Sequence, residues 1–112
     1  MPKVNRKVIY LSGPMTNMLD LNFLLFHSTA ASLRAAGHSV INPAELNPDP
    51  DTWSKCMRRD IAALMECDTV ATLPGWQNSR GASLEVHIGK ELGMKVVNAH
   101  DLVSMEIAGC AK

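Results

Sequence analysis

The segment TVATLPGWQNSRGASLEVHIG, residues 69–89, is the part of the sequence that indicates the fold most clearly. Its first part, Thr69 to Leu73, is a short apolar run of the kind that forms a buried β-strand. Residues 74–78 are rich in turn formers, and small residues follow where a helix would begin, at Ser79. A strand, a loop and a helix in this order predict a ligand site at the carboxyl end of a strand in an α/β sheet.

The same alternation of strand and helix runs through the rest of the chain. Gly37 and Gly93 mark the ends of helices, and Thr52 marks the start of one. The predicted strands are residues 7–12, 38–41, 69–73 and 94–98, the predicted helices are residues 21–36, 52–64, 79–93 and 101–107, and residues 44–52 are a predicted loop. This order predicts one doubly wound α/β domain over residues 1–112, a flavodoxin- or Rossmann-like three-layer sandwich with a four- or five-stranded, mainly parallel sheet.

In such sheets, ligands bind beyond the carboxyl ends of the strands, at the point where the strand order reverses. The segments that follow the first three predicted strands are residues 13–17, 42–45 and 74–83. We therefore expect these three segments to meet around one pocket.

The composition excludes several classes of protein. The chain is 46% hydrophobic and 20% charged, with 11 basic and 11 acidic residues, so neither disorder nor a nucleic-acid polymer as partner is expected. No apolar run reaches the roughly 18 residues of a membrane span, and a signal-peptide pattern is absent, so no membrane partner is expected.

Cys56, Cys67 and Cys110 predict free thiols in a reducing cytoplasm. The four histidines lack metal-ligand spacing, and neither a metal nor another cofactor is expected.

One carboxylate, Glu85, falls on the apolar side of the helix that follows residue 79. It lies at helical spacing with Gly81, Ile88 and Leu92. A carboxylate among aliphatic side chains is costly to desolvate, which favours a catalytic or ligand-binding role. The alternative is an acid in the first turn that complements the helix dipole, and position alone does not choose between the two.

Two other polar residues lie beside predicted core positions. Asp60 borders the apolar stripe of its helix, although a solvated acid paired with Arg59 or Lys55 is the better interpretation of that position alone. Tyr10 lies near the end of the first strand, where a tyrosine is usually a core residue whose hydroxyl finds one partner. The apolar stripe beside Asp60 consists of Trp53, Met57, Ile61 and Leu64.

The loops at the carboxyl ends of the predicted strands contain the remaining candidates. Gly13-Pro14-Met15 offers backbone N–H groups to an anion but lacks the spacing of a phosphate-binding loop. Ser79, Arg80 and Ser83 place hydroxyls and a fork-shaped cation at a helix amino terminus, which is a better anion site. Trp76 either stacks on a planar ligand or covers the core.

Several motifs in this arrangement resemble those of the nucleoside 2-deoxyribosyltransferase superfamily, which also contains the deoxynucleoside 5′-monophosphate N-glycosidases. They are Ile9-Tyr10-Leu11-Ser12-Gly13, Arg59-Asp60-Ile61 with Cys67-Asp68, and Ser79-x-Gly81-x-Ser83-x-Glu85-x-x-x-Gly89. Further segments are similar to those of the small deoxyribosyltransferase-like proteins of bacteria and their phages, namely residues 11–15, 42–45 and 73–76. The similarity spans about residues 7–98.

The resemblance implies catalytic roles for three residues. Glu85 matches the nucleophile, which attacks C1′ of the deoxyribose and forms a covalent glycosyl-enzyme. Tyr10 matches the tyrosine that holds this carboxylate in place, and Asp60 matches the acid that helps to protonate the departing base. Two carboxyl groups and a covalent intermediate are the arrangement of a retaining glycosidase.

The resemblance also bears on the substrate. Ser79 stands where the transferases carry an aspartate and the monophosphate hydrolases carry a serine that contacts the 5′-phosphate. Pro14 and Thr16 stand where the first loop of the hydrolases supplies a serine and an arginine, so Arg80 would have to replace those contacts with phosphate. The residues that the resemblance and the loops together assign to substrate binding are Gly13, Pro14, Met15, Trp76, Ser79, Arg80, Gly81 and Ser83.

The activity that these matches imply is hydrolysis of the N-glycosidic bond of a 2′-deoxynucleoside 5′-monophosphate. Base exchange between nucleosides is the nearest alternative, and a nucleotide-binding or sensing module without turnover is another. Because relatives complete their pockets with groups from a neighbouring subunit, a homodimer or higher homo-oligomer is expected.

Overall fold

A computed structural model describes residues 7–49 and 51–110, with the side chains of residues 105–110 outside the description. Four parallel strands form one sheet in the order β2-β1-β3-β4. The strands are β1 (Val8–Ser12), β2 (Ser39–Ile41), β3 (Thr69–Thr72) and β4 (Lys95–Asn98). This order, in which β2 and β3 flank β1, places a reversal of strand order between β1 and β3.

Within residues 7–49 and 51–110, five helices cover the two faces of the sheet. They are α1 (Phe23–Ala35), α2 (Pro43–Leu46), α3 (Trp53–Leu64), α4 (Arg80–Glu91) and α5 (Ala99–Cys110). Residues of α1 and α5 share a core cluster with Ile9 and Leu11, whereas residues of α3 and α4 share a second cluster with Tyr10. The predicted three-layer, doubly wound α/β fold is confirmed, with four strands. Among the described residues, no helix is long and apolar enough to cross a membrane.

The predicted loop at residues 44–52 is wrong over its first part, because α2 occupies residues 43–46. The side chain of Asn42 accepts a hydrogen bond from the backbone N–H of Ala44 at 3.0 Å, and Pro43 stands in the first turn. An Asn cap followed by proline is a helix-start signal, so the sequence did contain the information.

The start of α1 differs from the prediction by two residues. A 3-10 turn at Leu19–Asn22 precedes it, and Asp20, Leu21 and Asn22 all have positive φ angles. A left-handed backbone cannot continue into a right-handed helix, so α1 begins at Phe23 rather than at residue 21. At the other end of the chain, α5 begins at Ala99, directly after β4, and is longer than the predicted helix at residues 101–107.

The predicted stripe on α4 needs one correction. Leu92 is 59% exposed, because α4 ends at residue 91 and the chain turns away at Gly93, whose φ is +79°. The buried residues of α4 are Ala82, Glu85, Val86 and Gly89. Gly89 is required for this packing, because a Cβ atom there would lie 2.9 Å from Cγ2 of Val70 on β3.

The sheet presents a polar pair towards α4. Successive side chains of a strand point to opposite faces, so Tyr10 and Ser12 share a face while Ile9 and Leu11 point to the other. After Ser12 the chain passes close to the end of β3, because a Cβ atom on Gly13 would lie only 2.7 Å from Cβ of Leu73. The site therefore forms where the strand order reverses, on the face covered by α3 and α4.

Candidate active site

Glu85 lies inside the protein, where α4 crosses the carboxyl end of β1. The helix begins at a cap formed by Ser79, whose Oγ accepts a hydrogen bond from the N–H of Ala82 at 3.2 Å. Glu85 follows in the second turn with 4% of its surface exposed. An acid that merely complements the helix dipole would face solvent, so the buried position favours the functional interpretation.

Two hydroxyl groups from β1 hold the Glu85 carboxylate. The phenol of Tyr10 donates a hydrogen bond to Oε2 at 2.7 Å, and Oγ of Ser12 donates one to Oε1 at 2.7 Å. The family resemblance predicted this role for Tyr10, whereas the role of Ser12 was not predicted. Ser12 follows Tyr10 by two residues on a strand, so the alternation of side chains would have identified it.

Burial governs the acidity of this group. It raises the pKa of Glu85 to about 7, against the opposing effect of the hydrogen bonds from Tyr10 and Ser12, and the negative charge of Asp60 raises it further. The pKa of Tyr10 is also well above its usual value, first because of burial and then because of the charge of Glu85. The phenol therefore keeps its proton and acts as a hydrogen-bond donor to the carboxylate.

Asp60, on α3, is the second carboxyl group of the site. It is 6% exposed and accepts a hydrogen bond from Nδ2 of Asn47 at 2.7 Å. The alternative of a solvated acid paired with Arg59 or Lys55 is therefore wrong. Burial raises the pKa of Asp60 to about 6, while the hydrogen bond from Asn47 and the charge of Arg59 lower it.

Arg80, in the first turn of α4, stacks on an aromatic ring from α3. Its guanidinium carbon lies 3.7 Å from the centre of the Trp53 ring. A Cβ atom on Gly81 would lie 3.1 Å from Sδ of Met57, so the absence of a side chain there allows α3 and α4 to approach each other. Trp53 was predicted as part of the apolar stripe of its helix, and its contact with Arg80 was not predicted.

The structure gives the other predicted binding residues structural contacts. Oγ of Ser83 lies 3.2 Å from the carbonyl oxygens of Trp76 and Gln77, and it thereby ties α4 to the loop before it. Trp76 packs against the core cluster of Tyr10, which favours the alternative in which this tryptophan covers the core. Met15 packs against the cluster on the opposite face of the sheet.

Two of the three segments expected to form the pocket do meet. Pro14 is buried and accepts a hydrogen bond from Asn22 at its carbonyl, and a Cβ atom on Gly75 would lie 3.5 Å from Cγ of Pro14. The contact with Asp60 on this side comes from Asn47, which lies beyond the predicted third segment at residues 42–45. Among the described residues, no group of three or more histidine, cysteine, aspartate or glutamate side chains is placed to hold a metal ion.

A family model described as Domain of unknown function (DUF4406) matches residues 7–98. The chain belongs to this family. The match runs from the start of β1 to the end of β4, so the shared part of the family includes the whole sheet together with Tyr10, Asp60 and Glu85. No curated protein matches the chain.

Removing the phenol of Tyr10 should make Glu85 a weaker acid. In Tyr10→Phe, Oε2 of Glu85 loses its donor, so we expect the pKa of Glu85 to rise above about 7. The rise should be about 1 pH unit or more, because a hydrogen bond to a charged group contributes roughly 1.5–3 kcal/mol. Carboxyl carbon NMR of the labelled protein measures it. Ser12→Ala is the matched variant, with the same expected direction, and an unchanged titration midpoint in both would contradict this account of the site.

Proposed function

We propose that this protein hydrolyses the N-glycosidic bond of a 2′-deoxynucleoside 5′-monophosphate through a covalent intermediate on Glu85. The observation that supports the proposal is a buried carboxylate, fixed by Tyr10 and Ser12, beside a second buried carboxyl group at the point where the strand order reverses. A carboxylate held by two donors cannot rotate freely, and it is positioned before the substrate arrives.

The reaction proceeds in two displacements. An oxygen of Glu85 attacks C1′, and the bond from C1′ to the base nitrogen breaks, with its electron pair leaving on the base. Asp60 supplies the proton that the departing base takes up. Asp60, now ionised, takes a proton from a water molecule that attacks C1′, and the bond to Glu85 breaks to restore both carboxyl groups. The products are the free base and 2-deoxyribose 5-phosphate.

The acidities of the two carboxyl groups determine how much of the protein is in the reactive form. The reactive form has Glu85 ionised and Asp60 protonated, so the pair together carries one proton. With pKa values of about 7 and about 6, the pair holds one proton near neutral pH. Because Glu85 is the weaker acid of the two, the form with this proton on Asp60 is the minor one, and the reaction draws on it. We expect kcat/KM to follow a bell-shaped pH dependence with its maximum in that range.

A phosphorylated substrate is favoured by the first turn of α4. Arg80 makes no hydrogen bond or ion pair with the other described residues, so its donors remain available for a ligand while Trp53 holds the guanidinium in place. The amino terminus of α4 and the hydroxyl of Ser79 add favourable partners for a dianion.

Cys56 and Cys67 are free thiols, and we place the reaction in the cytoplasm, where thiols stay reduced.

Incubation with each 2′-deoxynucleoside 5′-monophosphate, followed by chromatography for released base, tests the proposal. Release without an acceptor is the expected result, and free 2′-deoxynucleosides should react more slowly than their monophosphates. Product that forms only after a second base is added would instead identify base exchange. Tight binding by calorimetry without any product would identify a nucleotide-binding module.

We also propose that the protein is a homodimer or a higher homo-oligomer. Leu19, in the segment between β1 and α1, is 90% exposed, and Leu24, in the first turn of α1, is 83% exposed; Met18 and Leu21 are also exposed. So many large apolar side chains within seven consecutive residues are typical of a protein contact surface.

Substitution of Leu24 by serine should weaken assembly. Multi-angle light scattering should give an oligomer for the unsubstituted protein and a shift towards monomer for Leu24→Ser, because burial of a leucine contributes roughly 1.5–3 kcal/mol. Leu92→Ser, at another exposed leucine, is the matched control and should leave the mass unchanged. A monomeric unsubstituted protein would contradict the proposal.

A further inference from the structure

Asn47, just beyond α2, makes three hydrogen bonds from a buried position. Its Nδ2 donates to Oδ1 of Asp60 at 2.7 Å and to the carbonyl of Pro43 at 3.1 Å. Its Oδ1 accepts from Nε of Arg59 at 2.8 Å. A second nitrogen of the same guanidinium donates to Oδ2 of Asp51 at 3.0 Å. These contacts form a chain that runs from the surface at Asp51 to the buried carboxyl group of Asp60.

The chemistry of the partners fixes the orientation of the Asn47 amide. A guanidinium has only donors, so the atom of Asn47 that faces Arg59 must be the oxygen. The backbone carbonyl of Pro43 has only acceptors, so the atom that faces it must be the nitrogen. Rotation of the amide by 180° would break both contacts, so Asn47 always presents a donor to Asp60.

This orientation distinguishes the two oxygens of Asp60. Oδ1 accepts a hydrogen bond from Asn47, and a carbonyl oxygen is a better acceptor than a hydroxyl oxygen, so a proton on Asp60 is favoured on Oδ2. In the described part of the chain, Oδ2 of Asp60 accepts no hydrogen bond. Every fully buried side-chain nitrogen or oxygen in that part has a hydrogen-bond partner, so Oδ2 is not one of the fully buried atoms. Oδ2 is therefore not fully enclosed by the protein, and a ligand can take the proton there.

We propose that Asn47 is a positioning residue that assigns the proton of Asp60 to Oδ2, and that Arg59, held by Asp51, fixes the orientation of Asn47. The part of this inference that concerns proton donation to a leaving base rests on the proposed function. The part that concerns the coupling of Asn47 to Asp60 does not, and it can be measured without any substrate.

The ionisable groups around Asp60 set the expected direction of change. Glu85 on α4 and Tyr10 on β1 interact with its charge from the side of the sheet, and Arg59 does so from its own helix. Asn47 and Arg59 both lower the pKa of Asp60 against the effect of burial. Loss of Asn47 should therefore raise this pKa above about 6.

Asn47→Ala and Arg59→Gln test the inference together. Carboxyl carbon NMR should show the titration midpoint of Asp60 at higher pH in both variants. In an active protein, kcat should fall about tenfold or more with little change in KM, and the alkaline limb of the kcat profile should move to higher pH. Arg58→Gln removes the same charge from the neighbouring exposed position on α3 and should change neither readout.

The possible failures are distinguishable. An Asp60 midpoint that does not move in Asn47→Ala overturns the inference whether or not the protein is active. If Asn47→Ala does not fold, an unmoved midpoint in Arg59→Gln overturns it equally. Absence of base release from the unsubstituted protein, together with a shifted midpoint in the variants, overturns the proposed function and leaves the coupling of Asn47 to Asp60 established.

Discussion

Replacement of Glu85 by glutamine should reduce the release of base by at least about 10³-fold, because the substituted amide cannot act as the nucleophile. The amide has the same shape as the carboxyl group, and its oxygen can still accept a hydrogen bond from Tyr10. The hydroxyl of Ser12 can rotate to accept from the new NH₂ group, so the site keeps its packing. Base release by chromatography, at saturating and at limiting substrate, is the measurement.

The thermal unfolding of the same variant is the necessary control. Glu85→Gln removes a buried ionisable group, so its melting temperature at neutral pH should equal or exceed that of the unsubstituted protein. Inactivity with a retained or raised melting temperature assigns the loss to chemistry. Activity within a factor of a few of the unsubstituted protein would show that another group is the nucleophile.

Between about pH 5 and pH 8, the free energy of unfolding should fall as the pH rises. The folded protein holds a proton on Glu85 up to about pH 7 and on Asp60 up to about pH 6, whereas the unfolded chain releases both near its ordinary values of 4.5 and 3.8. Because the folded state binds more protons in this range, the two groups stabilise it fully at low pH, and the benefit disappears as the pH passes the folded pKa values. Glu85 alone should contribute on the order of 3 kcal/mol of this change.

Chemical denaturation at a series of pH values measures this effect. Glu85→Gln should flatten the curve, whereas Glu91→Gln, on the exposed side of the same helix, should leave it as it is. Arg34 lowers the pKa of Glu45, and the backbone N–H of Thr52 and then Arg59 lower the pKa of Asp51. These two groups act in the opposite direction at pH values below this range. Stability that stays level or rises from pH 5 to pH 8 would contradict the raised pKa values of the two carboxyl groups.

The fold followed from local signals because these agreed with one another. The strand before Pro74 and the helix after Ser79 were each marked by apolar spacing and by turn or cap residues. Gly37 and Gly93 have positive φ angles, and Thr52 caps α3 through the N–H of Lys55, as predicted from these residue types. Where the backbone departs from common geometry, as in the positive φ angles of residues 20–22, no such signal exists.

The site was predictable only in part, for a physical reason. Glu85 and Tyr10 belong to regular elements whose periodicity shows which way each side chain points. Asn47 lies outside any periodic pattern, and only the three-dimensional arrangement brings it to Asp60. The same holds for Trp53 and Arg80, whose stacking depends on how closely α3 approaches α4.

A covalent adduct on Glu85 is the most direct test of the mechanism. The protein would be mixed with a reactive 2′-deoxynucleoside 5′-monophosphate, quenched in acid within the first turnover, and analysed by mass spectrometry as intact protein and as peptides. We predict a mass gain of one deoxyribose phosphate unit on the peptide that contains Glu85, and none in Glu85→Gln. Rapid release of base with no adduct at any quench time, and at an unchanged rate in Glu85→Gln, would contradict the account.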